Sequence, residues 1–356
     1  MSVRSERLER RMRIAVVAPV ARPVPPSREG SIETVTSLLT EGLVKRGHQV
    51  TLFATGQSVT SAKLHATFAE GYHTDTSLWP WELCELFNLS AAVERATDFD
   101  VIHYQAEYAP MLLAFSRLSV TPVLQTLHHA PAPSEVEIWS RYPEVPFVAV
   151  SHTQARLLSG LNVVSTIHHA VDVETFAFRE VPGDYLLFLG RFLERKGVLE
   201  AIEVARRSGM RLVLAGPANG YYGDVVQPLV DGDSVVFVGE VDRHEAAALL
   251  GGARALVYPV REAEPFGLVI AEAISCGTPV AALDIGAVGE LVDDGVTGGV
   301  FPTVDALVEG LPRVLGLDRH LVRTRAVERF SATRMVDEYV SVYRRLAAAP
   351  AARRRA

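Results

Sequence analysis

Short apolar runs alternate with helix-like segments along most of the chain. The run RIAVVA at residues 13–18 is continuous and apolar, as expected for a parallel strand that is buried on both faces. A proline-rich loop follows it, and residues 31–46 then have the pattern of a helix that Ser31 can cap and Gly47 can end. Strands of the same kind are predicted at residues 49–54, 100–103, 122–126 and 147–150.

The alternation stops at residues 171–182 and then starts again. Further strands are predicted at residues 185–189, 211–215, 235–238, 255–258 and 279–282, with helices at 198–208 and 245–250. Alternating strands and helices predict parallel sheets covered by helices on both faces, so two such series predict two doubly wound α/β domains. Ligands bind beyond the carboxyl ends of strands in such sheets. Two facing sheets would therefore share one cleft.

Composition narrows the class of protein. A chain of 356 residues with 48% hydrophobic residues is a folded globular protein and exceeds what one hydrophobic core usually supports. Its net charge of −7 argues against a general nucleic-acid binder. The two cysteines have no metal-site spacing, and no apolar run is long enough to span a bilayer. We therefore expect a cytoplasmic location and no nucleic-acid partner.

The loop GRFLERKG at residues 190–197 carries the first candidate chemistry. Arg191 and Lys196 leave the carboxyl end of a predicted strand, and Gly190 and Gly197 bracket them. A guanidinium fork and an ammonium group together suit a diphosphate. A solvated loop beside a helix is the alternative interpretation.

The stretch at residues 262–282, EAEPFGLVIAEAISCGTPVAA, is the second candidate for a binding site. Pro265 disfavours helical geometry at Glu264, so the pattern predicts a helix that begins near residues 266–268 and ends before Gly277. The free backbone amides at its start form an anion site. Glu264 then precedes the helix and Glu272 lies within it, and both are suited to accept hydrogen bonds from hydroxyl groups. A surface carboxylate is the alternative for Glu272.

Together these segments resemble a known enzyme family. The segment EPFGLVIAE followed by SCGTPV is similar to the Glu-seven-residues-Glu motif of retaining, family 4 glycosyltransferases of the GT-B fold, and GRFLERKG resembles their phosphate clamp. The segments VPPSREGSIETV, GELVDDGVTGGVF and FSATRMVDEYVSVYRRL resemble the family's first loop, a late loop and its closing helix.

The resemblance implies a GT-B fold, with two Rossmann-like doubly wound domains facing a central cleft. We place an acceptor-side domain at residues 12–175 and a donor-binding domain at 176–329. A closing helix at 330–347 would pack back on the first domain, and residues 1–11 and 348–356 would be disordered tails.

The resemblance also implies roles for particular residues. Its catalytic group would be His128, Arg191, Lys196 and Glu264. Glu264 would contact the transferred sugar, and Arg191 and Lys196 would hold the diphosphate. The residues implied to bind the donor are Gly30, Ser31, Gly190, Gly239, Val241, Phe266, Gly267, Leu268 and Glu272.

The function implied is transfer of a hexose, with retention of configuration, from a UDP- or GDP-sugar to a hydroxyl acceptor. The acceptor would be a small molecule or a glycan, with peripheral membrane contact if it is lipid-linked. No metal or other cofactor bound by the protein is expected. A nucleotide-sugar epimerase, a phosphorylase and a non-catalytic nucleotide-sugar binder are the alternatives.

Other residues are weaker candidates. His103, Tyr104 and Glu107 follow or end a predicted strand, where they would line the acceptor side, although a structural role for His103 is equally consistent with the pattern. The sequence Trp79-Pro80-Trp81 suits either core packing or an acceptor platform. The paired histidines at 128–129 and 168–169 have no zinc-site spacing, and we expect the second pair to have a structural role between the domains.

Overall fold

The protein is described by a computed structural model over residues 11–28, 30–107 and 109–349. The predicted tails lie mostly outside these residues, although residue 348 belongs to the last helix. The first domain contains a seven-stranded, wholly parallel sheet in the order β3-β2-β1-β4-β5-β6-β7. Its strands are β1 (Arg13–Val17), β2 (Gln49–Phe53), β3 (Lys63–His65), β4 (Val101–Tyr104), β5 (Val123–Leu127), β6 (Pro146–Ala149) and β7 (Asn162–Thr166).

The second domain contains a six-stranded parallel sheet in the order β10-β9-β8-β11-β12-β13. Its strands are β8 (Tyr185–Leu189), β9 (Arg211–Ala215), β10 (Val235–Gly239), β11 (Ala255–Tyr258), β12 (Val280–Leu283) and β13 (Gly298–Phe301). The strand order reverses direction beside β1 in one sheet and beside β8 in the other. These are the positions at which doubly wound sheets open a crevice.

The helices lie in order along the chain and cover both faces of each sheet. They are α1 (Ser31–Lys45), α2 (Trp81–Val93), α3 (Ala109–Leu118), α4 (Pro133–Trp139), α5 (His152–Leu157), α6 (Val198–Ser208), α7 (Arg243–Gly252), α8 (Leu268–Ser275), α9 (Val288–Leu291), α10 (Val304–Leu315), α11 (Arg319–Phe330) and α12 (Ala332–Ala348). None of these helices is both long enough and apolar enough to cross a lipid bilayer.

The last helix, α12, returns to the first domain. Met335, Val336, Tyr339 and Tyr343 are buried and pack in one core cluster with residues of β1 and α1. Removing so much apolar surface from water stabilises this arrangement by about 25 cal/mol for each Å² buried. The chain therefore crosses between its domains twice.

Several local predictions are corrected. The helix-capping residue of α1 is Gly30, and Ser31 is the first residue of the helix. Strands β3, β7 and β13 were not predicted: the first two are edge strands with exposed or half-buried positions, and β13 begins with two glycines. Such strands lack the continuous apolar run of a central strand.

Glu290 joins the two domains on the side where the chain crosses. It belongs to α9 of the second domain, and its carboxylate accepts hydrogen bonds from the backbone amides of His152 and Thr153 at the start of α5 in the first domain. Burial would raise the pKa of Glu290, but these hydrogen bonds lower it below its usual value. An ionised carboxylate at a helix N-terminus is a favourable contact.

Candidate active-site cleft

A cleft of about 1300 Å³ lies between the domains and is lined by residues of both. His128 directly follows β5, Gly190 follows β8 and Gly216 follows β9. The lining is thus built at the carboxyl ends of strands, as predicted for two facing parallel sheets. Of the predicted site residues, the cleft brings together Gly30, Ser31, Glu107, His128, Gly190, Arg191, Lys196, Val241, Glu264, Phe266, Gly267, Leu268 and Glu272.

The loop after β8 places two cations at the cleft. Arg191 is exposed and Lys196 is partly buried, and both line the cavity. Gly197 then turns the chain into α6 with a φ of +74°. A Cβ atom at Gly197 would lie 1.9 Å from the carbonyl oxygen of Pro259, so only glycine allows this loop to approach β11 so closely.

Glu264 is held at the cleft by contacts on both of its oxygens. Oε1 forms an ion pair with Lys196 Nζ, and Oε2 accepts a hydrogen bond from the Tyr258 hydroxyl group. Tyr258 is the last residue of β11, and its side chain is almost fully buried. Because a rigid strand end fixes Tyr258, it orients the Glu264 carboxylate at the cleft.

Two helix N-termini reach the cleft from opposite domains. α8 begins after Gly267, whose φ of +101° turns the preceding loop into the helix. α1 begins after Gly30 in the same way, with a φ of +150°. A glycine has no side chain to cap these helices, which leaves backbone amides available to an anion. The combination of two helix N-termini with Arg191 and Lys196 is suited to a multiply charged anion.

Glu272 lies in the second turn of α8, beyond the helix N-terminus at the cleft. It is in α8, is partly buried and lines the cavity. Burial raises the pKa of Glu272 to about 7, and the nearby Arg243, which also lines the cleft, opposes this rise. At neutral pH this carboxyl group can therefore either donate or accept a hydrogen bond.

His128 is fixed by two neighbours. Its Nε2 lies 2.7 Å from Gln105 Oε1, so that nitrogen carries the proton. Its ring stacks on His169 with centroids 5.1 Å apart, and His169 in turn contacts Phe266 edge-on. Burial, together with the neighbouring histidines, lowers the pKa of His128 well below its usual value. His128 is therefore neutral at pH 7.

Three predicted residues do not line the cleft. Gly239 is the last residue of β10 and precedes the lining residue Val241 by two positions. Its carbonyl oxygen accepts a hydrogen bond from the Gly216 amide. His103 and Tyr104 are fully buried in the first domain. His103 bonds the Tyr343 hydroxyl group at 2.6 Å and Thr126 at 2.8 Å. The expectation that His103 and Tyr104 face an acceptor is therefore corrected, because α12 covers His103 and the core with α2 and α3 on the other face of the sheet buries Tyr104.

Several residues in or behind the cleft wall were not singled out from the sequence. Tyr258 and Gln105 do not line the cleft but bond Glu264 and His128, which do. Tyr258 ends a predicted strand and Gln105 directly follows β4, so a position at a strand end was the available signal. His169 lines the cleft and packs on Phe266 of the second domain, and its neighbour His168 contacts Glu290 at 3.4 Å, so both histidines lie between the domains as expected. Arg243 carried no sequence signal beyond its place at the start of α7.

One group of described residues has the spacing of metal ligands. His152, His168 and Glu290 offer nitrogen and oxygen atoms within 4.8 Å of one another. This group lies at the contact between α5 and α9 and is not part of the cleft lining. The Glu290 carboxylate there already accepts two backbone amides.

Two Rossmann-like parallel-sheet domains that face each other across a cleft define a GT-B fold. Comparison with known proteins agrees with this. Residues 32–175 match the sequence model of Glycosyltransferase Family 4, and residues 177–328 match that of Glycosyl transferases group 1. Each of the two domains therefore matches a glycosyltransferase domain family.

Proteins that are similar over nearly the whole chain are also glycosyltransferases. The phosphatidyl-myo-inositol mannosyltransferase of Mycobacterium tuberculosis is 27% identical over 389 residues, covering 94% of this chain and 97% of the relative. The solved structure of AviGT4, a glycosyltransferase involved in avilamycin A biosynthesis, is 25% identical with a TM-score of 0.73, covering 95% of this chain and 98% of that one. Anabaena HepE, solved in complex with UDP-glucose, shares the fold at 17% identity and a TM-score of 0.68, covering 94% and 100%.

Proposed function

We propose that this protein transfers a hexose from a nucleotide-diphosphate sugar to a hydroxyl group of an acceptor, with retention of anomeric configuration. The observation that carries the proposal is the arrangement at one end of the cleft. Arg191 and Lys196 line it together with the N-terminus of α8, and Glu264 is bonded to Lys196. A diphosphate and a polyhydroxylated ring are the ligand pair that this combination of cations, amides and a carboxylate fits.

The donor would lie along the second domain. Arg191, Lys196 and the amides after Gly267 would bind the diphosphate, and Glu264 would accept hydrogen bonds from the sugar. Glu272 would accept them from the ribose, with Val241 near the base. The amides after Gly30 would reach the diphosphate from the first domain when the cleft closes.

The reaction requires charge stabilisation rather than a protein nucleophile. The bond between the anomeric carbon and the diphosphate breaks, and its electron pair stays on the phosphate oxygen. Arg191, Lys196 and the α8 amides stabilise that charge, which is often the largest catalytic contribution. The acceptor oxygen bonds to the anomeric carbon on the same face, and its proton passes to the departing phosphate. The neutral His128 ring would lie beside the sugar without adding charge.

The relatives suggest two candidate donors for testing. The mannosyltransferase relative favours GDP-mannose as one test compound, and UDP-glucose serves as the other because HepE was solved with it. A thermal-shift comparison of the two donors identifies the nucleotide. Mass spectrometry of reactions with acceptor mixtures then identifies the transferred sugar, and NMR of the product gives its anomeric configuration.

The decisive variants are Lys196→Ala and Glu264→Ala, with Glu262→Ala as the matched control. Glu262 is exposed, lies two positions from Glu264 and is not part of the cleft lining. We expect donor turnover, including slow hydrolysis in the absence of acceptor, to fall by about 100-fold or more in the first two variants and to stay unchanged in the third. If both cleft variants keep the wild-type rate while folded, the site assignment is wrong. A product of inverted configuration would reject the retaining mechanism.

A further inference from the structure

The part of the cleft wall that belongs to the first domain carries three glutamates. Glu33 of α1, Glu85 of α2 and Glu107 of the loop after β4 all line the cavity. We call these three residues the glutamate cluster. They come from separate segments of the first domain, and Glu33 also lies beside Gly30 of the proposed donor site.

Glu85 is the unusual member of the cluster. Its side chain is only 1% exposed. One oxygen accepts hydrogen bonds from the Val20 amide at 2.9 Å and the Tyr72 hydroxyl group at 3.2 Å. The other oxygen, Oε2, has no partner among the described residues. A buried polar atom without a partner is costly, and here it belongs to a residue that lines a cleft built to receive ligands.

The surroundings of Glu85 increase that cost. Burial, with a smaller contribution from the charges of Glu33 and Glu107, raises the pKa of Glu85 to about 8, against the opposing hydrogen bonds from Val20 and Tyr72. Near pH 7 Glu85 therefore carries its proton. A positive group placed beside Oε2 would favour the loss of that proton and would pair with the oxygen that has no partner.

The aromatic part of the wall fits the same kind of ligand. Trp79 is 76% exposed and lines the cleft, as do Tyr72 and Trp81. An exposed indole face attracts cations and also packs against the apolar faces of sugar rings. Exposure of so large a side chain suggests that a ligand covers it.

We propose that the glutamate cluster and Trp79 form an acceptor subsite that selects an acceptor bearing a protonated amine beside its hydroxyl groups. This inference rests on the proposed function, since it names the class of acceptor for that reaction. The amine would lie at Glu85 and Glu107, and the ring would pack on Trp79. An acceptor with a phosphate group at this position would be repelled by the carboxylates.

Arginines on the same wall provide the competing possibility. Arg22 and Arg28 line the cleft, and Arg28 pairs with Glu240 of the second domain at 3.2 Å. An anionic acceptor bound by these arginines would reverse the expected preference. The test therefore uses three probes on one ring frame: 2-deoxystreptamine as the cation, myo-inositol as the neutral compound and myo-inositol 1-phosphate as the anion.

Binding of the three probes is measured by isothermal titration calorimetry near pH 7. We expect the wild-type protein to bind 2-deoxystreptamine at least about tenfold more tightly than myo-inositol, the value of one charge-assisted hydrogen bond. Titration in two buffers of different ionisation heat should show that binding releases a proton, because the bound cation favours the charged form of Glu85. Failure to bind 2-deoxystreptamine, or equal or tighter binding of either inositol, would overturn the proposal.

Variants locate the effect. Glu85→Gln and Glu107→Gln should each reduce the preference for the cation, and Glu85→Gln should also abolish the proton release. The control Glu82→Gln makes the same substitution in the same helix but outside the cleft lining. It should change neither the preference for the cation nor the proton release. If Glu85→Gln does not fold, Glu107→Gln carries the test because Glu107 is exposed. A cation preference that survives in both variants refutes the assignment.

The same samples separate this inference from the proposed function. Thermal shift with the two donors and donor hydrolysis report on the donor site, to which neither Glu85 nor Glu107 is assigned. Donor turnover without cation preference would refute only the acceptor subsite. Cation preference without donor binding would refute the transferase assignment and leave a cation-binding cleft.

Discussion

The two glycines that flank α6 allow the geometry of the Lys196 loop to be tested quantitatively. Gly197 precedes the helix with φ +74° and ψ +30°, and Gly209 follows it with φ +65° and ψ +25°. Both are in the left-handed region, which costs a non-glycine residue about 1–2 kcal/mol. Their surroundings differ: an added Cβ at Gly197 would meet the Pro259 carbonyl oxygen at 1.9 Å, whereas at Gly209 it would meet nothing within 4 Å.

Alanine substitution at these positions should therefore have unequal costs. At Gly209 we expect the backbone cost alone, about 1–2 kcal/mol, less a few tenths for the stiffer unfolded chain. At Gly197 the crowding adds about 1–3 kcal/mol, because the obstacle is a backbone oxygen that cannot rotate away. The predicted loss for Gly197→Ala is thus about 2–5 kcal/mol.

Urea unfolding at a fixed pH measures the free energy of unfolding of both variants. Because Gly197 directly follows Lys196, Gly197→Ala should also weaken donor binding in a thermal-shift titration, and Gly209→Ala should leave it unchanged. Equal losses of stability in the two variants would refute the argument from crowding. Wild-type donor binding in a folded Gly197→Ala protein would refute its link to the site.

Two further predictions concern buried polar groups. The Glu272 carboxyl group stays protonated in the folded protein up to a pH of about 7, whereas in the unfolded chain it loses its proton near 4.5. The wild type should therefore lose stability relative to Glu272→Gln as the pH rises through this window, by up to about 1.4 kcal/mol per pH unit. Urea unfolding at pH 5 and pH 8 measures the stability difference between the two proteins, and a difference that is independent of pH would contradict the prediction. Tyr343→Phe should lower the free energy of unfolding by about 1–3 kcal/mol, because it removes the 2.6 Å hydrogen-bond partner of buried His103. The control Tyr142→Phe changes a partly exposed position and should cost less than half as much. Equal losses in the two variants would argue against the His103 contact.

Most of the architecture follows from local sequence. Central strands such as β1 and β8 are continuous apolar runs because both of their faces are buried, and the ten strands predicted from such runs are all present within a residue or two. The two doubly wound domains predicted from these runs are confirmed, and so is the GT-B fold that the family resemblance implied. The start of α8 was also predictable, since Pro265 and Gly267 act on the backbone within a few residues. Charges at strand ends, such as Arg191, reached the cleft because parallel strands all end at the same edge.

Only the tertiary structure determines which residues from separate segments are in contact. His103 and Glu107 are neighbours in sequence, yet one is covered by α12, which arrives from the far end of the chain, and the other lines the cleft. The hydrogen bond from Tyr258 to Glu264 and the meeting of Glu85 with Glu33 depend equally on how separate segments pack. Periodicity states which face of an element is buried, but the identity of the covering element comes from long-range packing. The grouping of the donor-side candidates at the cleft could therefore be predicted from sequence, and the glutamate cluster of the opposite wall could not.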